Sequence, residues 1–346
     1  MIKSKYSDEK YLCKYDLTLE FFDNLGVEVI DLWPVRNIYL LNTKQGKKIL
    51  KIIDYDEERL NFICKSLSYI SKNYKNILHI NILPNKLNYI DWKGNKYILL
   101  DLIDGLEFNI ANPIDLKIAV EGIAKMHKAS MGILSVLNEK EKDSNCNLFN
   151  LKEEFQKNID CLNKFKLQVK EYVYKNEFDK LFLKRVDNII DEIKDCIKLL
   201  EDSEYFSLCK NKQYIVICHN DLAYHNILIN DEQANFIDFD YCKVDLRVKD
   251  LANFIIKCIK KFGFSLDIYN NIIDIYGDVF SISKEELEIL YILIKFPKDF
   301  CCICKEYYQK EKNWSYESFL SKFQNKLFKE EERHMLVAEL KEKYDK

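Results

Sequence analysis

The chain has 346 residues, enough for one large domain or two ordinary ones. Its formal net charge of −3 gives no basic excess, so nucleic acid is not expected as a partner. The scarcity of glycine (8) and proline (4) excludes collagen-like chains and disfavours many-turned all-β folds. The N-terminal residues lack the apolar run of a secretory signal, and no stretch of about 18 apolar residues predicts a membrane span. We therefore expect a cytoplasmic protein with no membrane partner.

The first hundred residues predict a small lobe rich in strands. A short amphipathic helix ending at Gly26 precedes two strands, a helix with an acidic first turn, and a hairpin that turns at Gly94. The segments, in chain order, are LTLEFFDNLG (17–26), VRNIYLLNT (35–43), KKILKIID (47–54), DEERLNFICKSLSYISKNY (56–74) and KLNYIDWKGNKYILLDLID (86–104).

After residue 105 the pattern is helical for most of the chain. We expect a helix over 115–130, a charged loop over 139–145, and two helical segments within 151–200. Three short strands with one turn then interrupt the helices, and helices resume at Asp250. The strand segments are YIVIC (214–218), NILIN (226–230) and NFIDF (235–239), with the turn at DEQA (231–234).

The interrupting stretch, HNDLAYHNILINDEQANFIDFD (219–240), concentrates residues suited to phosphoryl transfer. Such transfer needs a carboxylate to accept or orient the proton of the attacking hydroxyl. It also needs a carboxylate and an amide oxygen to hold Mg²⁺ against the phosphates. Asp221 fits the first role, and Asn226, five positions on, fits the second together with Asp238. His219 is expected to brace the loop through hydrogen bonds rather than to transfer protons.

These motifs resemble those of the aminoglycoside phosphotransferase/choline kinase group. The group's HGDxxxxN followed by IDW or IDF corresponds here to the segments beginning at His219 and Ile237, with Asn220 in place of the usual glycine. DLRVKDLANF, which contains Asp250, is similar to the start of a helix in that group. Further segments are similar to the CotS-related spore-coat proteins, a kinase-like branch of endospore-forming bacteria. They are VRNIYLLNTKQGKKILKI, DEERLNF, DLIDGLEF, IAKMHKAS and FPKDFCCICKEYYQKEKNW.

The resemblance implies an α+β, two-lobed protein-kinase-like fold. Its small N-terminal β-rich lobe would cover residues 1–100, and its large, mainly helical C-terminal lobe would cover 101–346. ATP and Mg²⁺ would bind in the cleft between the lobes.

Residue roles follow from the same resemblance. Lys51 would contact the nucleotide phosphates, and Glu58, or else Glu57, would pair with it. Asp101, Leu102 and Ile103 would form the hinge whose backbone binds the adenine edge.

Four further assignments belong to the surroundings of that site. Asp250 would brace the catalytic loop or cap its own helix. Asp240 is either a second metal ligand or an exposed acid at the end of a strand. His127 is expected to be a core histidine, and residues 35–37 would lie over the phosphates.

Two main hypotheses about function remain open. One is an ATP/Mg²⁺-dependent phosphotransferase acting on a hydroxyl of a small molecule or coat component. The other is a structural or morphogenetic spore-coat protein that keeps the kinase fold with little or no turnover. An aminoglycoside-type antibiotic phosphotransferase is a third alternative. The expected location is the mother-cell cytoplasm, with deposition in the spore coat and contact with other coat proteins as further expectations.

Overall fold

The N-terminal lobe is an antiparallel sheet with one helix at its edge and one helix beneath it. The computed structural model describes residues 17–35 and 38–344. The sheet order is β1–β2–β3–β5–β4. The elements are α1 (Leu19–Leu25), β1 (Val29–Val35), β2 (Ile38–Thr43), β3 (Gly46–Ile53), α2 (Glu57–Ile70), β4 (Ile90–Trp92) and β5 (Asn95–Asp101).

Local signals in the sequence account for the limits of these elements. Thr18 and Asp56 accept hydrogen bonds at the N-termini of α1 and α2. Gly26 ends α1 in the left-handed region at φ 69°, and Gly94 turns the β4–β5 hairpin at φ 82°. The predicted helices and both predicted hairpins of this lobe are thereby confirmed. Arg36 and Asn37, part of the segment expected over the phosphates, lie outside the described residues.

The remainder of the chain is mainly helical. Its helices and strands are β6 (Leu106–Glu107), α3 (Pro113–Ser130), α4 (Glu139–Asn145), α5 (Leu151–Glu171), α6 (Glu177–Asp202), α7 (Tyr205–Leu208), β7 (Ile215–Cys218), β8 (Ile227–Asn230), β9 (Gln233–Phe236), β10 (Lys243–Leu246), α8 (Arg247–Ile259), α9 (Leu266–Val279), α10 (Lys284–Lys295), α11 (Lys298–Tyr308) and α12 (Tyr316–Tyr344). The α+β architecture predicted from the sequence is confirmed.

Two small antiparallel sheets hold the segment that carries the candidate motif. One has the order β6–β8–β9 and the other pairs β10 with β7. Asp231 and Glu232 both have positive φ, which suits the two-residue turn between β8 and β9. The catalytic loop therefore begins at the end of β7, and the Asp238 segment begins at the end of β9.

Three sequence-based expectations about the elements need correction. Residues 139–145 form α4 rather than a loop, because Asn138 and Glu141 make a capping box that stabilises so short a helix. Strand β9 ends at Phe236, so Asp238 lies in the following turn rather than on the strand. Strands β1 and β6, and strand β10 immediately before α8, were not predicted.

The hydrophobic core joins the two parts of the chain. Leu60 and Ile63 of α2 belong to the same buried cluster as Ile123 of α3 and Phe236 of β9. A separate cluster around Phe21 fills the outer side of the N-terminal sheet. Helix α2 is therefore anchored to the larger lobe, so it can deliver side chains to the loops of that lobe. Within the described ranges, no helix is both long enough and apolar enough to span a bilayer.

Candidate active site

The loop between β7 and β8 is organised by one buried carboxylate. Asp250, in the first turn of α8, is fully buried. Its Oδ2 accepts from the backbone N–H of His219 at 2.7 Å, and its Oδ1 accepts from the N–H of Asn220 at 2.9 Å. Burial alone would raise the pKa of Asp250, but hydrogen bonds and charge from His127 and His219 hold it below its usual value. The geometry supports the predicted bracing role of Asp250.

His219 holds the same loop from inside. Its Nε2 lies 2.8 Å from the carbonyl oxygen of Ile237, and its Nδ1 accepts from the N–H of Asp221 at 3.3 Å. Burial lowers the pKa of His219, which favours the neutral ring that this bonding pattern requires. His219 thus ties the Asp221 loop to the Asp238 segment, consistent with the predicted brace.

Asn220 occupies a backbone conformation that most residues avoid. Its φ is 64°, in the left-handed region, where glycine and asparagine are favoured over other residues. Its side-chain Nδ2 also donates to the carbonyl of Tyr241 at 3.0 Å. Asparagine therefore supplies the conformation that a glycine would supply here, together with an extra hydrogen bond.

Asp221 projects from this loop with one side still open to solvent. Lys257 Nζ lies 2.8 Å from its Oδ1, and Asn226 Nδ2 donates to its Oδ2 at 3.1 Å. Burial would raise the pKa of Asp221, but the hydrogen bond and charge of Lys257 hold it below its usual value. The Asp221 carboxylate is therefore ionised at neutral pH, as a proton acceptor must be.

Asp238 and Lys51 meet across the cleft. Lys51 Nζ, from β3, lies 2.7 Å from Asp238 Oδ1 and 2.7 Å from Asp240 Oδ2. Burial alone would lower the pKa of Lys51, but the charges of Asp240 and Asp238 hold it above its usual value. Asp238 has a φ of 64°, in the left-handed region, so the backbone turns at this residue and does not continue the strand.

The residues present fit a hard divalent cation. The side chain of Asp238 is 38% exposed and offers carboxylate oxygens. The Asn226 amide points its nitrogen at Asp221, which leaves its oxygen as an available ligand. Carboxylate and amide oxygens are the donors that Mg²⁺ and Ca²⁺ prefer.

Glu58 does not pair with Lys51. Its carboxylate is exposed and ion-paired with Lys140 of α4, and Glu57 instead accepts from the hydroxyl of Tyr89. Both acids lie in the first turn of α2, where the helix dipole favours negative charge. The acidic partners of Lys51 come from the larger lobe instead.

Arg59, which the sequence analysis did not single out, is the residue of α2 that reaches the site. It donates to the carbonyls of Asp240 at 2.8 Å and Cys242 at 2.6 Å, and to Asn145 Oδ1 at 2.7 Å. Tyr55 adds a hydrogen bond from its hydroxyl to Asp240 Oδ1 at 3.3 Å. The segment after Asp238 is therefore held by α2 as well as by the loop beside it.

The predicted hinge begins at Asp101, the last residue of β5. The carboxylate of Asp101 is held by Lys48 at 2.5 Å and by His79 at 3.1 Å. The N–H of Leu102 donates to the carbonyl of Lys47 at 3.3 Å, so this group is already occupied. The N–H of Asp101 is occupied as well, since it donates to the carbonyl of His79 at 3.2 Å. Backbone recognition of a base at this point would therefore depend on carbonyl oxygens of this segment or on Ile103.

The fold and the convergence of these side chains define a kinase-like protein. Residues 109–341 match the choline/ethanolamine kinase family, and the chain belongs to that family. It is similar to spore coat protein S of Bacillus subtilis (strain 168), with 24% identity over 319 residues, 90% of this chain and 88% of that protein. The predicted relationship to the CotS-related branch is confirmed.

Solved structures agree on the fold. An aminoglycoside phosphotransferase from Alicyclobacillus acidocaldarius superposes with a TM-score of 0.79 at 16% identity, covering 94% of this chain and 95% of that one. Amicoumacin kinase, in complex with AMP-PNP and Ca²⁺, superposes with a TM-score of 0.61 at 12% identity, covering 95% and 94%. These likenesses confirm the two-lobed kinase-like fold.

Proposed function

We propose that this protein transfers the γ-phosphoryl group of ATP to a hydroxyl of a small molecule or coat component. The observation that carries the proposal is a set of two linked pairs from three separate segments. Asn226 is bonded to Asp221, Lys51 is paired with Asp238, and His219 ties the Asp221 loop to the Asp238 segment. The nucleotide and divalent ion in the structure of amicoumacin kinase support the same type of ligand here.

The roles follow from position and charge. Asp221, ionised and partly exposed, accepts the proton of the acceptor hydroxyl as its oxygen bonds to the γ-phosphorus. The bond from that phosphorus to the bridging oxygen breaks, and ADP leaves with the electron pair. Lys51 binds phosphate oxygens once nucleotide draws it away from the acidic pair. Asn226 and Asp238 would hold Mg²⁺, whose charge offsets that of the phosphates.

The setting we infer is the spore coat or the mother cell that builds it, because of the likeness to spore coat protein S. The alternative is a coat protein that keeps the fold and binds nucleotide with little turnover. The presence of Asp221 and Asp238 favours chemistry over this alternative, since a chain that had lost its turnover would more often have lost one of these two carboxylates.

A thermal-shift titration tests the proposal. Mg-ATP should raise the Tm of the wild type, because a ligand that binds only the folded state stabilises it by mass action. Asp238→Asn should lose most of the metal-dependent part of this shift. Asp221→Asn should keep nucleotide binding while turnover falls by about 10²-fold or more. Absence of any shift with nucleotide would refute phosphoryl transfer, and a wild-type shift without turnover would favour the structural alternative.

A further inference from the structure

A cavity beside the catalytic loop is suited to hold the body of the acceptor. It has a volume of about 300 Å³ and lies between α5, α8 and α11. Asn147 and Asn220 line both this cavity and an adjoining depression of about 420 Å³ that contains Asp221. A molecule that presents a hydroxyl to Asp221 therefore has room to extend its remaining atoms into the cavity.

Cationic side chains outnumber carboxylates in the lining of this cavity. The lysines are Lys249, Lys298 and Lys305, and the carboxylates are Glu154 and Asp245. The excess is one positive charge before any pairing within the protein is considered. Both acids lie near Lys249, and among the described residues neither Lys298 nor Lys305 is ion-paired.

Both carboxylates are already engaged by protein groups. Asp245 is 1% exposed, lies 2.6 Å from Lys249 Nζ, and accepts from Asn147 Nδ2 at 3.2 Å. Glu154 accepts from the same amide at 2.8 Å and lies 3.8 Å from Lys249 Nζ. A cationic acceptor would therefore have to compete with Lys249 and Asn147 for these two acids.

The two remaining lysines lie on one face of α11. Lys298 and Lys305 are seven residues apart, two helical turns, so they point the same way. Lys298 Nζ donates to the neutral amide oxygen of Asn253 at 2.8 Å. Of the two acids on this helix, Asp299 is paired with Lys260 and Lys326, and Glu306 does not line the cavity.

The aromatic lining does not favour a quaternary ammonium group. Phe155 is 2% exposed and stacks on Phe296, with ring centroids 4.3 Å apart and planes 6° apart. Each ring therefore has one face covered by the other ring, whereas the recognition of a cation by aromatic residues needs several uncovered ring faces around the charge.

We propose that the acceptor carries an anionic group, a phosphate or a carboxylate, in addition to its hydroxyl, and that Lys298 and Lys305 bind this group. The proposal rests on the proposed function, since it assigns the acceptor of that same site. An anionic acceptor would distinguish this chain from kinases that phosphorylate cationic alcohols, and the distinction rests on the charge of the cavity lining. Lys249 contributes by offsetting part of the negative charge of Asp245 and Glu154, which would otherwise repel the anion.

Four small alcohols serve as probes: glycerol 3-phosphate, glycerate, glycerol and choline. The full chain is first saturated with Mg-ADP, so that the nucleotide site is closed to phosphate, and binding is followed by calorimetry. Glycerol 3-phosphate or glycerate, or both, should bind about tenfold or more tighter than glycerol and choline. The anion that binds more tightly shows whether the acceptor's anionic group is a phosphate or a carboxylate. Lys298→Gln/Lys305→Gln should weaken this binding by about tenfold or more.

The matched control is Lys125→Gln/Lys128→Gln, which removes the same charge from the exposed face of α3 and should leave probe binding unchanged. A rise of Tm with Mg-ADP verifies that each variant is folded. If the double variant Lys298→Gln/Lys305→Gln shows no such rise, the single variant Lys305→Gln is used in its place. Tighter binding of choline than of both anions, no binding of either anion, or equal affinities in wild type and lysine variant would each overturn the inference. Mg-ADP binding tests the proposed function separately.

Discussion

Lys51 and Asp238 are ion-paired across 187 positions of the sequence, with Nζ 2.7 Å from Oδ1. The same ammonium lies 2.7 Å from Asp240 Oδ2, so two carboxylates share one cation and the cluster keeps a net negative charge. A metal ion that binds Asp238 must therefore compete with Lys51 until nucleotide phosphates offer the lysine another anion. This relationship predicts that metal and nucleotide bind cooperatively.

Lys51→Met should change the two affinities in opposite directions. Mg²⁺ alone should bind several-fold tighter, because the competing cation is gone and two adjacent carboxylates remain. Mg-ATP should bind about tenfold or more weaker, because a charged contact to the phosphates is lost. Calorimetry with MgCl₂ and with Mg-ATP measures both. Lys47→Met, on an exposed position of β3, is the control, and a loss of both affinities in Lys51→Met would contradict the competition.

Arg59→Met should lower turnover more than it lowers nucleotide affinity. The guanidinium holds the carbonyls of Asp240 and Cys242, so its loss frees the segment after Asp238 while leaving Lys51 in place. The expected fall in kcat is about tenfold or more, consistent with a misplacement of catalytic groups. Arg59→Lys should recover only part of the lost kcat, because an ammonium cannot donate hydrogen bonds in the same planar geometry as a guanidinium.

Arg185→Met, which removes an exposed arginine of α6, is the control for this experiment. Steady-state kinetics with varied ATP separates kcat from KM. A variant whose kcat is unchanged and whose Tm alone is reduced would show that Arg59 only stabilises the fold.

The contrast between Glu58 and Arg59 shows where prediction from the sequence stops. The spacing of Asp221, Asn226 and Asp238 is local, and the loop that carries them is well defined by its flanking apolar runs. The contact of Arg59 with Asp240 joins residues 181 positions apart and depends on how α2 docks on the larger lobe. Helical periodicity identifies the buried face of α2, but it does not reveal which polar residue at the border of that face meets a backbone carbonyl.

Asn220 illustrates a departure from a motif that the structure explains. The sequence shows only that asparagine replaces glycine. The backbone angle shows that both residues meet the same conformational requirement, and the bond to Tyr241 is an addition that no local pattern encodes.

Asp250→Asn should destabilise the protein by about 3 kcal/mol, since a buried carboxylate with three donors loses its charge and part of its accepting capacity. The pH dependence has a defined sign. The folded pKa is depressed, so the stabilisation is present above the unfolded value of about 3.9 and is lost as pH falls through the folded value. Urea unfolding at pH 7 and below pH 4 measures this.

The difference in stability between wild type and Asp250→Asn should therefore be large at neutral pH and shrink on acidification. Asp267→Asn, in the first turn of α9, is a control that should change stability little at either pH. A wild-type advantage over Asp250→Asn that grows as the pH falls would contradict the depressed pKa.

Lys257→Met should shift the acidic limb of the pH–rate profile to higher pH. Lys257 Nζ lies 2.8 Å from Asp221 Oδ1 and lowers the pKa of that carboxyl. Without the lysine the Asp221 pKa rises, so the ionised form that accepts the proton is lost at a higher pH as the solution is acidified. Measured as kcat/KM against pH, the midpoint of this limb should move to higher pH, by an amount that solvent screening of this partly exposed ion pair limits. Lys261→Met, one helical turn farther along the chain, should leave the midpoint unchanged. An acidic limb that stays in place in Lys257→Met would show that the group titrating there is not Asp221, and the proton acceptor would then have to be sought elsewhere in the cleft.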